Sequence, residues 1–269
     1  TLYPLGQGEA ESQEISSEYI DILISEGSLP NVELKIQQWL ATINVDQVIW
    51  RALASTSHAN KFLNNMNAET SINTATRYVI ACQSWSTTLL SKNMRSRYRR
   101  GLNQLKNLEA KMGWIEQDDF DHYWQIMKDL HQQRWRRKNK KGAFSCQEFN
   151  AFHAKFRQHA PENAVMSALW VNDNPIAIHY YYVDENTLYF YQSGWNENDY
   201  ANLSPSLLLH LWSIENNNKT YYDFMMGKNH DSYKARFSTQ QQPMDNLSVI
   251  FNPNKLLLSR LLRKIMLIR

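Results

Sequence analysis

The order of hydrophobic periods between residues 164 and 251 restricts the fold more than any other feature of this 269-residue chain. AVMSALWV, IAIHYYYV and TLYFYQSGW, separated by turns at NDNP and DEN, read as three consecutive strands in a meander. LSPSLLLHLWSIENNN follows as a helix, with Ser204 suited to the N-cap and Pro205 to the first helical position. TYYDFMMG reads as a strand, DSYKARFS as a short helix and MDNLSVIF as a last strand, which gives the order β-β-β-α-β-α-β. A strand that enters a helix and returns to the same sheet makes a right-handed crossover. Ligands of open α/β sheets bind beyond the carboxyl ends of the strands. There the helix N-terminus offers free N–H groups and a positive dipole end to a pyrophosphate. The loop QSGWNENDYANLSPS brings those donors to Leu203, Ser204, Pro205, Ser206 and Leu207, although an ordinary Ser-Pro helix start gives the same pattern. No Walker or Rossmann glycine fingerprint is present, so nucleotide sites of those types are not supported.

Upstream, EISSEYIDILI reads as a strand or short helix, NVELKIQQWLATI (31–43) as a helix, VDQVIWRALAS as a strand, SHANKFLNNMN as a helix and ATRYVIACQ as a strand. From Ser86 a long basic helix is expected to run to Gly113, with Leu90, Met94, Tyr98, Leu102, Leu105 and Leu108 as its apolar stripe. DDFDHYWQIMKDLHQQRWRRK opens with acidic residues that favour a helix start. CQEFNAFHAKFRQHA is a further helix, with Phe149, Phe152 and Phe156 at spacings of three and four.

Composition sets outer limits. Hydrophobic residues make up 43%, enough for a true core. The net charge of +3 is too small to imply nucleic acid by itself, and the basic residues gather in 92–106, in 134–141 and in the tail. Two cysteines, Cys82 and Cys146, fit a reducing compartment rather than a disulfide framework. No stretch reads as a signal peptide or a bilayer span. The first residue is Thr1, and we expect the chain to be a fragment or processed piece of a longer protein.

RSRYRRGLNQL (97–107), LHQQRWRRKNKKGAF (130–144), PIAIHYYY (175–182), YQSGW (191–195), LSPSLLL (203–209) and YDFMMG with the later Tyr233-Lys234 occur in a fixed order. On that ordered set the chain resembles GNAT acyltransferases, more closely the CelD-like (BioF2-like) branch related to the FemABX peptidyltransferases. The resemblance covers about residues 90–245. It departs from the branch at Ser206, where glycine is usual, and lacks the wider superfamily's Gln/Arg-x-x-Gly-x-Gly/Ala loop.

The resemblance implies an α/β fold with a mixed, largely antiparallel sheet flanked by helices. It implies a partial, degenerate GNAT-like domain at 1–85, an acyltransferase domain at 86–252 and a basic amphipathic tail at 253–269. The implied reaction is acyl transfer from acetyl-CoA or another acyl-CoA to an amine, with no metal. The implied acceptor is an amino sugar or nucleotide sugar of surface polysaccharide assembly. Such transfer requires positioning, a deprotonated amine and a stabilised oxyanion rather than a covalent intermediate. Neither cysteine is therefore expected as a nucleophile.

Asp223, in the strand beside the expected cleft, could serve as base; the alternative is a carboxylate satisfied by a neighbouring cation. The resemblance places Lys234 at the transfer site, against a solvated lysine, and gives Tyr233 a hydroxyl for the leaving thiolate. His131, Arg134 and Trp135 share one helix face and match the family at these positions. With Tyr191 and Gln192 of YQSGW they would form the acceptor side. Arg95, Arg99 and Arg100 suit phosphate or sugar-phosphate groups, or form a solvated face. The tail suits a membrane surface, a partner helix or docking on the domain. The expected setting is the cytoplasm, at the inner face of the membrane if the tail binds lipid. Specific nucleic-acid binding is not expected. The rival readings are a Fem-like transferase using aminoacyl-tRNA, a non-catalytic binding module and a basic nucleic-acid binder.

Overall fold

The computed structural model describes residues 1–10, 13–15, 17–25, 28–227, 232–237 and 239–268. In chain order the main elements are α1 (Leu29–Thr42), β1 (Gln47–Ala54), α2 (His58–Asn64), β2 (Glu69–Ala81), α3 (Lys92–Lys106), β3 (Ala110–Trp114), α4 (Phe120–Arg137) and α5 (Gln147–His159). They continue with β4 (Ala164–Val171), β5 (Asn174–Val183), β6 (Thr187–Trp195), α6 (Pro205–Glu215), β7 (Tyr221–Gly227), β8 (Gln240–Ile250) and α7 (Pro253–Ile268). The fold is mixed α/β with a mostly antiparallel sheet, as expected. Two units are distinct. One comprises Thr1–Glu9, Glu14–Thr76 and Pro243–Arg269, the other Ala10–Gln13 and Arg77–Gln242.

In the first unit β1 pairs antiparallel with β8, from Gln47 opposite Ile250 to Ala54 opposite Met244. Its core is Leu40, Val48, Leu53, Ala59, Phe62, Leu63, Leu247 and Val249. The strand or helix expected over EISSEYIDILI is absent: its described residues form neither.

The second unit carries strands in the order β2-β7-β6-β5-β4-β3. The meander forms as its alternation dictates. Asn172 and Asp173 both take positive φ at the tight turn between β4 and β5, a conformation that short polar side chains tolerate. The long basic helix stops at Lys106 instead of Gly113. Glu109 turns the chain at φ 45, and Ala110–Trp114 then pair with Ser167–Val171 as an edge strand. The apolar stripe of α3 survives in its buried Met94, Tyr98 and Leu105, packed with Leu208 and Leu209 of α6 in one core. Gly101 on that stripe lets the helices approach, since a Cβ there would come within 2.6 Å of Leu208.

Two features shape the site. β6 and β7 are parallel, the crossover that the strand–helix–strand order requires, but they pair only at Thr187–Tyr221, Leu188–Tyr222 and Tyr189–Asp223. Beyond these residues the strands part. Met225 adopts φ 62, a left-handed bend that costs a non-glycine residue about 1–2 kcal/mol.

Candidate active site

A cleft of about 370 Å3 opens where β6 and β7 diverge, at the N-terminus of α6. Met94 and Arg97 of α3, Arg134 of α4, and Ser193 and Trp195 of β6 line it. Ser204–Leu207 and His210 belong to the start of α6, and Tyr233, Arg236 and Phe237 to a 3-10 turn after β7. A second depression of about 640 Å3 shares Met94, Arg97 and Arg236 with it and continues past Ser91 and Asn93. All three charged residues lining the cleft are arginines.

The α6 terminus departs from its expected cap. Ser204 is left-handed (φ 56, ψ 56) and its side chain makes no capping bond. Its hydroxyl accepts from Arg97 instead, at 2.5 Å from Nη2 and 3.2 Å from Nε. Ser204 carbonyl oxygen accepts from the N–H groups of Leu207 and Leu208. Pro205 has no N–H. The Ser206 N–H is left without a protein partner among the described residues, so the helix start retains a donor for an anion. The Ser206 hydroxyl turns inward to His179 Nε2, at 2.9 Å, which keeps it clear of the backbone donor.

Elsewhere in the lining the Arg134 guanidinium lies 5.3 Å over the Trp195 ring. Its Nε is buried without a hydrogen bond among the described residues, and the Glu197 carboxylate stands off at 3.9 Å. Gly194 explains the glycine of YQSGW. A Cβ there would meet the Met127 carbonyl oxygen at 2.2 Å, so only glycine lets β6 press against α4.

Of the residues singled out in the sequence, the cleft gathers Ser204, Pro205, Ser206, Leu207, Arg134 and Tyr233. Tyr233 is 46% exposed, yet the protein packed around the rest of it pushes the phenol up to about 12, with the Arg134 charge pulling it partly back. The others lie outside the lining. Leu203 is buried in the core. Asp223 is fully buried; its Oδ2 meets Arg77 at 2.6 Å and 2.7 Å, and its Oδ1 accepts the Met225 N–H at 2.7 Å. Lys234 Nζ donates to the carbonyls of Phe224 (2.5 Å) and Met226 (2.6 Å). Asp223 and Lys234 thus brace the left-handed bend of β7 that opens the cleft, and the charge of Asp223 is matched by Arg77.

His131 and Trp135 bond to each other, Trp135 Nε1–H donating to His131 Nε2 at 2.8 Å. Burial holds the His131 imidazole down at about 4, and Phe144 packs edge-on against it. Tyr191 stacks among Phe149, His153 and Tyr182. Gln192 sits one residue further along β6, half-buried and opposite Tyr180. Arg95 is tied to the carbonyls of Thr88 and Leu90. With Arg99 and Arg100 it lines a separate shallow groove on α3.

Sequence reasoning gave no role to Arg97, Trp195, Arg236 and His210, although the first three lie in or beside the motifs that carry the resemblance. The signal for Arg97 was its spacing: it lies three residues after Met94 and four before Gly101, beside the buried stripe rather than opposite it. No group of three or more His, Cys, Asp and Glu side chains suited to a metal ion occurs among the described residues. No described helix is long and apolar enough to cross a membrane.

The family model of the acetyltransferase (GNAT) domain matches residues 92–235, a span that holds all of the cleft's lining except Arg236 and Phe237. The chain belongs to the GNAT acetyltransferase family and is an acyltransferase. Members of that family use an acyl-CoA as co-substrate. Solved structures share the fold at low identity. A conserved protein of unknown function from Bacteroides thetaiotaomicron has a TM-score of 0.62 at 10% identity, over 86% of this chain and 78% of that one. FemX has a TM-score of 0.57 at 9% identity, over 85% and 78%. L-PGS from Bacillus licheniformis has a TM-score of 0.56 at 13% identity, over 88% and 77%. No curated protein matches this chain.

Proposed function

We propose that the protein transfers an acetyl group from acetyl-CoA to the amine of an anionic amino sugar or nucleotide sugar, in surface polysaccharide assembly. The observation that carries this reading is the α6 start at the parting of β6 and β7, with a free Ser206 N–H and Arg97 beside it. A pyrophosphate fits that dipole end. The groove continuing past Arg97 and Arg236 supports an elongated donor with further phosphate. Arg134 on Trp195 suits the anionic group of the acceptor. The amine attacks the thioester carbon, the C–S bond breaks, and the Tyr233 phenol stands ready to hydrogen-bond the departing sulfur. Cys82 and Cys146 do not line the cleft, in keeping with direct transfer. Both are free, which supports a cytoplasmic setting. The basic α7, with Leu257, Leu258 and Leu262 at least half exposed, supports a peripheral contact with the inner face of the membrane.

The test is calorimetry with acetyl-CoA and CoA, followed by thiol release in the presence of glucosamine 6-phosphate. Saturable binding of both nucleotides is expected, and absence of binding refutes the donor assignment. One observation favours a second reading. Lys92, Arg95, Arg99 and Arg100 form a basic groove on α3 apart from the cleft, which would suit the backbone of an aminoacyl-tRNA. That reading predicts tRNA binding that weakens steeply with salt and no affinity for acetyl-CoA.

A further inference from the structure

Beneath the floor of the cleft, a line of polar side chains runs through an apolar core. α6 buries Leu208, Leu209, Leu211 and Ile214, yet Ser206, His210 and Ser213 interrupt it at spacings of four and three. His179 of β5 is fully buried, with Nε2 at 2.9 Å from the Ser206 hydroxyl and Nδ1 at 3.2 Å from that of Tyr181. The Tyr181 hydroxyl donates to Ser213 at 2.9 Å and is also hydrogen-bonded to Tyr222. Tyr222 in turn lies 2.7 Å from His210 Nδ1, and the rings of His210 and His179 are 4.2 Å apart. Buried polar groups cost stability unless they are paired, and leucines would dock α6 on the sheet equally well. The line ends at the cleft, which His210 helps to form although it is 2% exposed. Its Nδ1 edge is taken by Tyr222, and Nε2 has no hydrogen-bond partner among the described residues, so Nε2 is the ring nitrogen left to meet a ligand.

We infer that His210 is the base of the acyl transfer, a role that rests on the acyltransfer reading above. The Tyr181 proton goes to Ser213, so the Tyr222 proton goes to Tyr181, and the Tyr222 oxygen accepts from His210 Nδ1–H. That tautomer turns the Nε2 lone pair into the cleft. Desolvation, the neighbouring His179 and the Lys234 charge keep the imidazole neutral well below the usual histidine range. The other titratable groups around it, Tyr222, Tyr233 and the three cleft arginines, add no anion at neutral pH. A neutral imidazole of this kind is a weak base. It suffices here because the attacking nitrogen becomes acidic once it has bonded to the thioester carbon. As the N–C bond forms, Nε2 takes the proton from nitrogen. The C–S bond breaks, and the thiolate takes the Tyr233 proton. The imidazolium returns its proton to the phenolate, whose ring centre is 6.4 Å away, leaving amide and thiol with both side chains restored.

The experiment compares wild type with His210→Gln, using acetyl-CoA and two surrogate amines at high concentration, ethanolamine and hydroxylamine. The expected result for the variant is unchanged acetyl-CoA affinity and a cooperative unfolding transition at a somewhat lower temperature, with the assays run where the variant is folded. Its kcat with ethanolamine should fall by about 100-fold at similar KM, and by less with hydroxylamine, whose less basic nitrogen gives up its proton more readily once it has bonded to the thioester carbon. An unchanged kcat, an equal loss with both amines, or a loss confined to acetyl-CoA affinity overturns the inference. Tyr222→Phe keeps the ring and removes only the hydroxyl at Nδ1; it should lower kcat about tenfold, and a wild-type kcat overturns the assigned tautomer. Wild-type protein that binds no acetyl-CoA brings down the donor assignment instead, and the base with it. Wild-type protein that binds acetyl-CoA but acylates neither amine overturns the transfer step.

Discussion

Asp223→Asn separates a structural carboxylate from a chemical one. In the native chain, Oδ2 is held by the Nε and Nη2 of Arg77, and Oδ1 by the Met225 N–H. Asparagine keeps an acceptor for Met225 but loses the charge that faces the guanidinium. Removing one partner of a fully buried pair costs about 3–5 kcal/mol. The Arg77 side chain is 23% exposed, so water recovers part of that, and we expect about 2–3 kcal/mol. With a urea slope of about 2 kcal/mol/M, the unfolding midpoint should fall by about 1–1.5 M. Asp223→Ala also strips the acceptor from Met225 at its left-handed bend and should cost more. The assay pairs urea unfolding, followed by tryptophan fluorescence, with thiol release at saturating acetyl-CoA and at a temperature where the variant is folded. The folded variant should retain kcat within about tenfold of wild type. A wild-type midpoint together with a kcat reduced by 100-fold or more would show that Asp223 acts on the reacting groups, and the bracing role would be wrong.

Arg97→Ala should weaken acetyl-CoA binding by about tenfold, as befits loss of one charge-assisted contact, and should flatten its salt dependence in calorimetry. Gly194→Ala should cost about 3 kcal/mol or more in urea unfolding, because the new methyl collides with the Met127 carbonyl and α4 must move off β6. Acid should destabilise the fold through its buried histidines. His131 is held at about 4, and His153 and His179 at about 3, all by burial, whereas the unfolded chain protonates histidine near 6.5. The unfolded state therefore binds more protons below pH ~6.5, and stability falls from there toward pH ~3 by up to about 1.4 kcal/mol per pH unit per histidine. A urea midpoint that stays flat between pH 7 and 4.5 would refute this.

The legible and illegible parts of the chain differ in range of interaction. Strand alternation and the Ser-Pro start are local, and they placed β4 to β7 and the start of α6 within two residues, while α6 ends at Glu215, three residues before the expected end. The end of α3 was not legible. Lys-Asn-Leu-Glu-Ala continues a helical pattern, and only pairing of Ala110–Trp114 with β4, more than fifty residues away in sequence, turns it into a strand. The site shows the same division. The anion-accepting terminus of α6 is a local feature and was found. Arg97 was passed over for Arg95 and Arg99, because three arginines on one helix differ only in the direction each faces. Arg95 is spent on the carbonyls of Thr88 and Leu90, and Arg99 faces a separate groove. Asp223 and Lys234 drew attention as charges beside a cleft. Their partners, Arg77 and the carbonyls of Phe224 and Met226, are set by tertiary structure.

Ser206 shows how such a position can keep its chemistry after losing the residue that resemblance leads one to expect. Glycine at a helix start lets a phosphate reach the backbone N–H because nothing projects from the Cα. A serine restores a side chain at that point, and a hydroxyl free to rotate would compete for the same anion-binding space. Here it is tethered to His179 Nε2, which faces inward from β5. The approach to the N–H then depends on a second residue, and the two should be coupled. His179→Phe should release the hydroxyl and weaken acetyl-CoA binding in a chain that carries Ser206. The same substitution made on a Ser206→Gly background should cost much less affinity. Calorimetry on the four proteins of this double-mutant cycle measures the coupling directly. Additive losses would mean that Ser206 and His179 contribute to the cleft independently, and that the tether does not explain the tolerance of serine at this position.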